Sequence, residues 1–339
     1  MEIKDILGKV VDGLELTFDE AYFMLDKIMK GEIDEAQAGA FLTALRMRGE
    51  TVTEISAAAK AMRDNGTYFE GAEDAIDIVG TGGDKSSSIN ISSIASFIVA
   101  ASGVKVAKHG NRAVSSKCGA ADIYEALGIN IKTTNEQAHK VFNEINQIFL
   151  FAQVYHSAMK NAAPIRKSLG YRTVFNILGP LTNPAHTKKI LLGCYSKELC
   201  PIIAMVAREV GIENALIVNG EDGLDEVTLT GKTYVTELRN KIITSYEFDP
   251  RAYGFSYCEA KDLVGGTPED NKDIALKILN NEDSKRRDAV LLNAALAIYI
   301  AKDGISIQKG IDIARETLTS GKALEQLNSY IRCSNNIWF

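Results

Sequence analysis

The apolar run Ile76-Asp77-Ile78-Val79 stops at Gly80-Thr81-Gly82-Gly83-Asp84, and the residues Ser86-Ser87-Ser88-Ile89-Asn90-Ile91-Ser92-Ser93 then open a second apolar segment. This pattern reads as a strand turning through a glycine-rich loop into a helix, the unit from which α/β sheets are built. Glycine has no Cβ, so such a loop can adopt φ > 0 and bring several N–H groups to one anion. The helix start adds unpaired donors and a positive dipole end. The spacing is neither G-x-G-x-x-G nor G-x-x-x-x-G-K-[ST], which removes the usual support for a dinucleotide or P-loop site. A glycine turn after a strand is often no more than a tight connection. Here Ser86, Ser87, Ser88, Asn90, Ser92 and Ser93 crowd behind it, and each can donate to a phosphate or offer an oxygen to a metal ion.

Ahead of this unit, apolar residues recur at helical spacing, as in Ala21, Met24, Leu25, Ile28 and Met29, and again in Ala40, Phe41, Ala44 and Leu45. Thr17 with Glu20 forms a capping-box signature and Thr51 with Glu54 a second one. The first 65 or so residues therefore read as an α-helical unit. From 76 onward, short β-rich runs alternate with helical stretches. Strands are expected at 76–79, 104–107, 148–151, 190–194 and 215–219, with a later, partly antiparallel pair at 233–237 and 242–248. Helices are expected at 89–101, 119–127, 135–145, 201–210, 270–279 and 287–301, followed by two more. A chain of 339 residues is long enough for two domains.

Composition limits the partners. A net charge of −6 argues against a surface that lies along nucleic acid, which needs an excess of Lys and Arg. The start, Met1-Glu2-Ile3-Lys4-Asp5, resembles no secretory or transit leader, so a cytoplasmic location is expected. The most apolar stretch, 289–301, contains Asn293 and falls short of the roughly 20 residues of a membrane span; it suits a buried helix. Cys118, Cys194, Cys200, Cys258 and Cys333 lack CxxC spacing and read as reduced thiols without a disulfide framework or zinc site.

Three further segments carry chemistry. Lys108-His109-Gly110-Asn111-Arg112-Ala113-Val114-Ser115-Ser116-Lys117-Cys118-Gly119 follows the strand at 104–107. It is either a solvated basic loop or, at the carboxyl end of a strand where open sheets bind ligands, the seat of a poly-anion. His109 there is either a structural histidine or an acid–base group. Asn219-Gly220-Glu221-Asp222-Gly223-Leu224-Asp225-Glu226-Val227 follows another strand. Its carboxylates suit a solvated turn, or Mg²⁺ held together with substrate phosphates. Arg166 and the run Asn176-Ile177-Leu178-Gly179-Pro180-Leu181-Thr182-Asn183-Pro184 lie in a helix-and-turn insertion between sheet elements. An arginine there can grip a substrate carboxylate with its planar fork.

In order along the chain, G-T-G-G-D at 80–84, N-I-S-S at 90–93, K-H-G-N-R-A-V-S-S-K at 108–117, R-x-x-L-G-x-R-T at 166–173, N-x-L-G-P-L-x-N-P at 176–184 and D-G-L-D-E at 222–226 resemble the anthranilate phosphoribosyltransferase family. The resemblance implies an α/β fold: a small all-α domain, 1–70 plus an inserted segment at about 164–185, and a large domain, 71–163 and 186–339, with a mostly parallel central sheet flanked by helices. It implies transfer of phosphoribosyl from phosphoribosyl pyrophosphate to anthranilate, Mg²⁺ as cofactor with two ions expected, a homodimer formed through the helical domains, and association with anthranilate synthase subunits.

By the same resemblance, Gly80, Gly83, Asp84, Ser88, Asn90, Ile91, Ser92, Ser93, Lys108, His109, Gly110, Asn111, Arg112, Ala113, Val114, Ser115, Ser116 and Ala120 belong to the phosphoribosyl pyrophosphate site. Ser92, Asp225 and Glu226 match the metal ligands, and Gly80, Asn111 and Arg166 the anthranilate contacts. Lys108, His109, Asn111 and Arg166 then act by charge and positioning, with no protein nucleophile. Ser88 and Ser93 stand where threonine is common, while Cys118 and Ala120 stand where serines are common. Ala120 offers no side-chain donor, a loss of one hydrogen bond worth about 0.5–1.5 kcal/mol. Two other activities compete with the transferase: a pyrimidine nucleoside phosphorylase, which shares similar Lys-His and Ser-rich loops, and a nucleic-acid-binding relative without enzymatic activity.

Overall fold

The computed structural model describes residues 1–84, 86–113 and 117–336. The chain opens with four helices, α1 (Ile3–Val11), α2 (Phe18–Lys30), α3 (Glu35–Arg48) and α4 (Val52–Asp64). The capping boxes at Thr17 and Thr51 form as expected, each threonine accepting from the glutamate N–H three residues on, which satisfies donors that a helix start leaves open. Glu54 is also buried beside the Arg48 guanidinium and accepts the Leu16 N–H at 2.9 Å, so one cap residue ties three segments of the bundle together. Alanines 57, 58, 59 and 61 leave α4 thin enough to pack closely against α2 and against a later helix of the sheet domain.

Seven strands follow: β1 (Ile76–Gly80), β2 (Val106–Gly110), β3 (Gln147–Phe151), β4 (Lys189–Gly193), β5 (Asn214–Gly220), β6 (Thr233–Arg239) and β7 (Ile242–Phe248). They form one sheet in the order β3-β2-β1-β4-β5-β6-β7. The first five are parallel and the last two antiparallel. The helices that connect and cover them are α5 (Ile91–Ala101), α6 (Ala120–Ala126), α7 (Asn135–Ile145), α8 (Ala152–Tyr155), α9 (Met159–Leu169), α10 (Phe175–Leu178), α11 (Leu199–Glu209), α12 (Pro268–Leu279), α13 (Lys285–Ala301), α14 (Ile307–Thr319) and α15 (Lys322–Ser334). Among the described residues no helix is long and apolar enough to cross a membrane.

Strand alternation divides the core. Leu191, Leu216, Val218 and Val235 face the layer that holds α5, α13 and α15. Ile190, Leu192, Ala215, Ile217 and Leu238 face α11 and share one apolar cluster with the N-terminal bundle and with Ile165, Phe175 and Leu178 of the insertion. A period of two thus places the sheet between two apolar layers. The stretch 289–301 is the buried helix expected, every residue of it but Tyr299 being enclosed.

The strand that departs most from the sequence-based expectation is β2, which begins at Val106 rather than at 104. The apolar run ends at Ala107, yet β2 continues through Lys108 and His109 to Gly110, paired throughout with β3. The backbone ladder is indifferent to side-chain polarity once partners are found for the buried groups. Lys108 and His109 are therefore buried sheet residues rather than loop residues.

Candidate active site

In the strand order, β1→β2→β3 run one way from the centre and β4→β5 the other, so the crevice between the carboxyl ends of β1 and β4 is the topological switch point where open α/β sheets take their ligands. Gly80 ends β1 and pairs with Gly193, which ends β4. Asp225 sits directly over this glycine pair. A Cβ on Gly193 would lie 1.6 Å from the Asp225 carbonyl oxygen, and one on Gly80 would lie 2.4 Å from Asp225 Oδ2. Only two glycines side by side admit the Asp225 backbone and carboxylate at this point.

The 80–84 turn is held from several sides. The Thr81 N–H donates to the Gly193 carbonyl at 2.8 Å, Tyr195 N–H to Thr81 Oγ1 at 3.2 Å, and Gly82 N–H to Asp225 Oδ2 at 2.7 Å. Gly82 and Gly83 take φ of 70° and 78°, the region where an L side chain is strained. Glu226 Oε1 accepts the Ser92 N–H at 3.1 Å in the first turn of α5, a favourable place for a carboxylate. Behind both acids, Asn293 of α13 clamps Val227: its Oδ1 accepts the Val227 N–H at 2.9 Å and its Nδ2 donates to the Val227 carbonyl at 2.8 Å.

The electrostatics are those of a pocket short of positive charge. Burial, then Asp84 and Glu226, raises Asp225 well above the carboxylate range. Burial likewise raises Glu226 to about 7. Lys108, fully buried, donates to the Ile78 carbonyl and to Ser92 Oγ at 3.2 Å; burial lowers its pKa while Asp77, Glu226 and Asp225 pull it back up. A divalent cation would relieve both acids. Among the described residues no three His, Cys, Asp or Glu side chains gather closely enough to hold an ion alone. Ser92, Asp225 and Glu226 are the side chains here that could share in holding Mg²⁺, which commonly takes one or two carboxylates and completes its shell with water and phosphate oxygens.

Between β1 and β2 the pairing register holds only Ile76 opposite Val106. Beyond it, Asp77 Oδ1 accepts the His109 N–H at 3.1 Å, and Asn183 Nδ2 donates to Asp77 Oδ2 and to the Ala107 carbonyl, both at 2.7 Å. Side-chain groups of Asp77 and Asn183 thus take the place of ladder partners for the β2 backbone here. Burial raises Asp77 to about 6. His109 Nδ1 donates to the Gly179 carbonyl at 3.1 Å, tying β2 to the insertion. Burial and then the neighbouring His156 press its pKa down to about 3, so the ring is neutral at physiological pH and bears on position rather than charge.

The other candidate residues are dispersed. Asn90 Nδ2 donates to the Cys118 carbonyl at 3.1 Å, while Asn90 Oδ1, His109 Nε2 and Thr173 Oγ1 are buried without a hydrogen-bonding partner among the described residues. Ser88 bridges to Val264 in an isolated antiparallel pair. Ile91 buries its side chain in the core and its N–H donates to the Ile89 carbonyl at 2.8 Å; Ser93 is buried as well. Asn111 Oδ1 accepts the Arg112 N–H at 2.8 Å. The Arg112 guanidinium is engaged by Asp122 at 2.9 Å and by Glu125 at 2.6 Å, and the Ala113 N–H donates to Asp122 at 3.0 Å. Of the three cations in this segment, then, Lys108 is the one coupled to the acidic pair, since α6 supplies Arg112 with its own carboxylates. Gly110 faces Phe149 and Ala120, whose Cβ lies 3.1 Å from where a Gly110 Cβ would be. Burial raises the Cys118 thiol to about 12, an inert state. Val114, Ser115 and Ser116 lie outside the described residues.

Arg166, on α9, lies 5.6 Å above the Phe175 ring. Sequence reasoning attached no role to Asp77, Arg172, Asn183, Gly193 or Asn293. A charge inside an apolar strand and an amide inside an apolar helix were the available signals for Asp77 and Asn293. Nothing local marks Gly193, whose constraint comes from a loop more than thirty residues away.

Residues 72–324 match the α/β domain of a glycosyl transferase family, and residues 4–66 match that family's helical bundle domain. The anthranilate phosphoribosyltransferase of Methanobrevibacter smithii is 48% identical over 98% of this chain and 100% of its own length. The crystal structure of anthranilate phosphoribosyltransferase from Thermus thermophilus superposes with a TM-score of 0.93 at 39% identity, covering 98% of this chain and 99% of that one. The Saccharomyces cerevisiae enzyme in complex with PRPP and Mg superposes with a TM-score of 0.89 at 30% identity, covering 98% of each chain. This chain belongs to the anthranilate phosphoribosyltransferase family.

Proposed function

We infer that this protein transfers the phosphoribosyl group of phosphoribosyl pyrophosphate to the amine of anthranilate, releasing pyrophosphate, in tryptophan biosynthesis. The observation that carries the inference furthest is the seating of Asp225 on the Gly80 and Gly193 pair at the switch point, with Glu226 on the N-terminus of α5. Acidic groups and anion-binding donors are thereby placed in one crevice, as a metal-bound pyrophosphate requires.

Departure of pyrophosphate leaves positive charge on the ribose ring and negative charge on the leaving group. Ser92, Asp225 and Glu226 hold Mg²⁺ in this proposal, and the adjacency of the two acids suits two ions. When bound, Mg²⁺ supplies the positive charge that the departing pyrophosphate needs. Lys108 adds an ammonium beside Ser92, and the 80–84 turn offers the backbone donors that Gly193 and Asp225 do not already engage. Asn111 and Arg166, with Gly80, orient anthranilate, a positioning effect that can lower a barrier by several kcal/mol. An aniline-type amine is a free base at neutral pH, so no protein base is needed to begin the attack. Neutral His109 holds β2 to the insertion at Gly179.

The same proposal includes a homodimer through the helical domains, supported by the exposed apolar side chains of Val11, Leu14 and Met47 on and beside α1 and α3. It also includes a cytoplasmic location and contact with anthranilate synthase subunits. Mixing the protein with phosphoribosyl pyrophosphate, Mg²⁺ and anthranilate should remove anthranilate fluorescence with time. Steady fluorescence, together with phosphate-dependent cleavage of a pyrimidine nucleoside, would instead identify the phosphorylase.

A further inference from the structure

Arg172 follows α9 in the insertion that also carries Arg166, yet its side chain reaches the glycine turn. Its Nη2 donates to the Gly83 carbonyl, and its guanidinium lies 3.8 Å from the centre of the Tyr195 ring. Tyr195 in turn donates its N–H to Thr81 Oγ1 at 3.2 Å. The main-chain carbonyl of Arg172 accepts from Arg46 of α3, so the helical bundle holds the other end. Gly83 is bound to this contact twice over: its φ is 78°, and a Cβ there would lie 2.8 Å from Arg172 Nη2.

In a trans peptide the carbonyl and the next N–H point to opposite sides. Drawing the Gly83 carbonyl to Arg172 therefore aims the Asp84 N–H away from the insertion. We propose that Arg172 is a positioning residue that couples the helical insertion to the pyrophosphate seat by fixing the orientation of the Gly83–Asp84 peptide. The proposal rests on the glycine turn being the seat of phosphoribosyl pyrophosphate. The planar guanidinium is essential to it, because stacking on the ring and donating from the edge use one rigid fork, which a lysine ammonium cannot reproduce.

The test compares Arg172→Ala and Arg172→Lys in the full-length protein. With Arg172→Ala, KM for phosphoribosyl pyrophosphate should rise about tenfold or more, as expected for a lost charge-assisted hydrogen bond and ring contact. KM for anthranilate at saturating phosphoribosyl pyrophosphate should stay within about threefold of the unaltered protein. Millimolar guanidinium should recover part of the loss, and Arg172→Lys should recover little. An Arg172→Ala protein with an unchanged unfolding midpoint and an unchanged KM for phosphoribosyl pyrophosphate overturns the proposal, as does an equal rise in both KM values without a guanidinium response. If Arg172→Ala is insoluble, Tyr195→Leu, which removes the platform, must show the same selective rise. Failure of the transferase assignment would show separately, as no anthranilate consumption by the unaltered protein; titration calorimetry of Mg²⁺ and phosphoribosyl pyrophosphate binding to both proteins then decides on Arg172 by the same criterion.

Discussion

Replacing Gly193 by alanine adds one methyl group at the point of closest approach in the candidate site. The new Cβ would fall 1.6 Å from the Asp225 carbonyl oxygen, 2.3 Å from its carbon and 3.1 Å from its Cα. Restoring a separation of about 3.5 Å requires the Asp225 backbone to retreat by roughly 2 Å. It cannot retreat freely, because Val227 two residues later is clamped on both polar atoms by Asn293. The strain divides between folding and catalysis. Overpacking of this kind costs about 1–3 kcal/mol of stability, and a displacement of about 1 Å in a group that positions substrate can cost about 10²-fold in rate. Gly193→Ala should therefore lower the thermal midpoint, reduce kcat/KM by about two orders of magnitude, and raise the Mg²⁺ concentration needed for half-maximal activity. Gly8→Ala is the matched control: it lies in α1 with nothing within 4 Å of its added Cβ, and should gain about 0.5–1 kcal/mol without touching activity. A Gly193→Ala protein with unaltered kinetics and Mg²⁺ dependence would refute the claim that this glycine admits the acidic loop.

Asp225→Asn combined with Glu226→Gln should abolish turnover while leaving the circular dichroism spectrum and unfolding midpoint close to those of the unaltered protein; full activity in this variant would exclude the carboxylate role. Asn293→Leu should destabilise by about 2–5 kcal/mol, since it leaves both the Val227 N–H and carbonyl buried without their partner; chemical denaturation measures this, and a loss below about 0.5 kcal/mol would contradict the clamp. His156 has a folded-state pKa pushed down to about 4, chiefly by burial. Its contribution to stability is thus complete above the unfolded value near 6.5 and is lost as the pH falls toward 4, at about 1.4 kcal/mol per pH unit. The unfolding free energy of the unaltered protein minus that of His156→Gln should shrink over that window, and a constant difference would show that this imidazole is not buried neutral.

Much of the architecture is legible in local pattern because its causes are local. The capping boxes at Thr17 and Thr51 form where the spacing places them, and 135–145 is helical over the residues its periodicity marks. Strand ends were less legible where polar residues are buried. Lys108 and His109 extend β2 because β3 supplies a ladder and Asp77 and Asn183 supply side-chain partners from elsewhere in the chain. The basic segment is a similar case: sequence presents Lys108, Arg112 and Lys117 as one charge cluster, whereas α6 neutralises Arg112 locally.

The helix caps at Thr17 and Thr51 and the alternation behind the sheet's two apolar faces were decided by the sequence alone, since capping and periodicity act within a few residues. Tertiary structure alone decided which of the polar groups would meet. Asp225 came to rest on Gly80 and Gly193, Asn293 on Val227, and Arg172 on Gly83. Such contacts join distant parts of the chain, and their free energy exists only once a packed interior has excluded water and left each buried donor or charge to find its partner there.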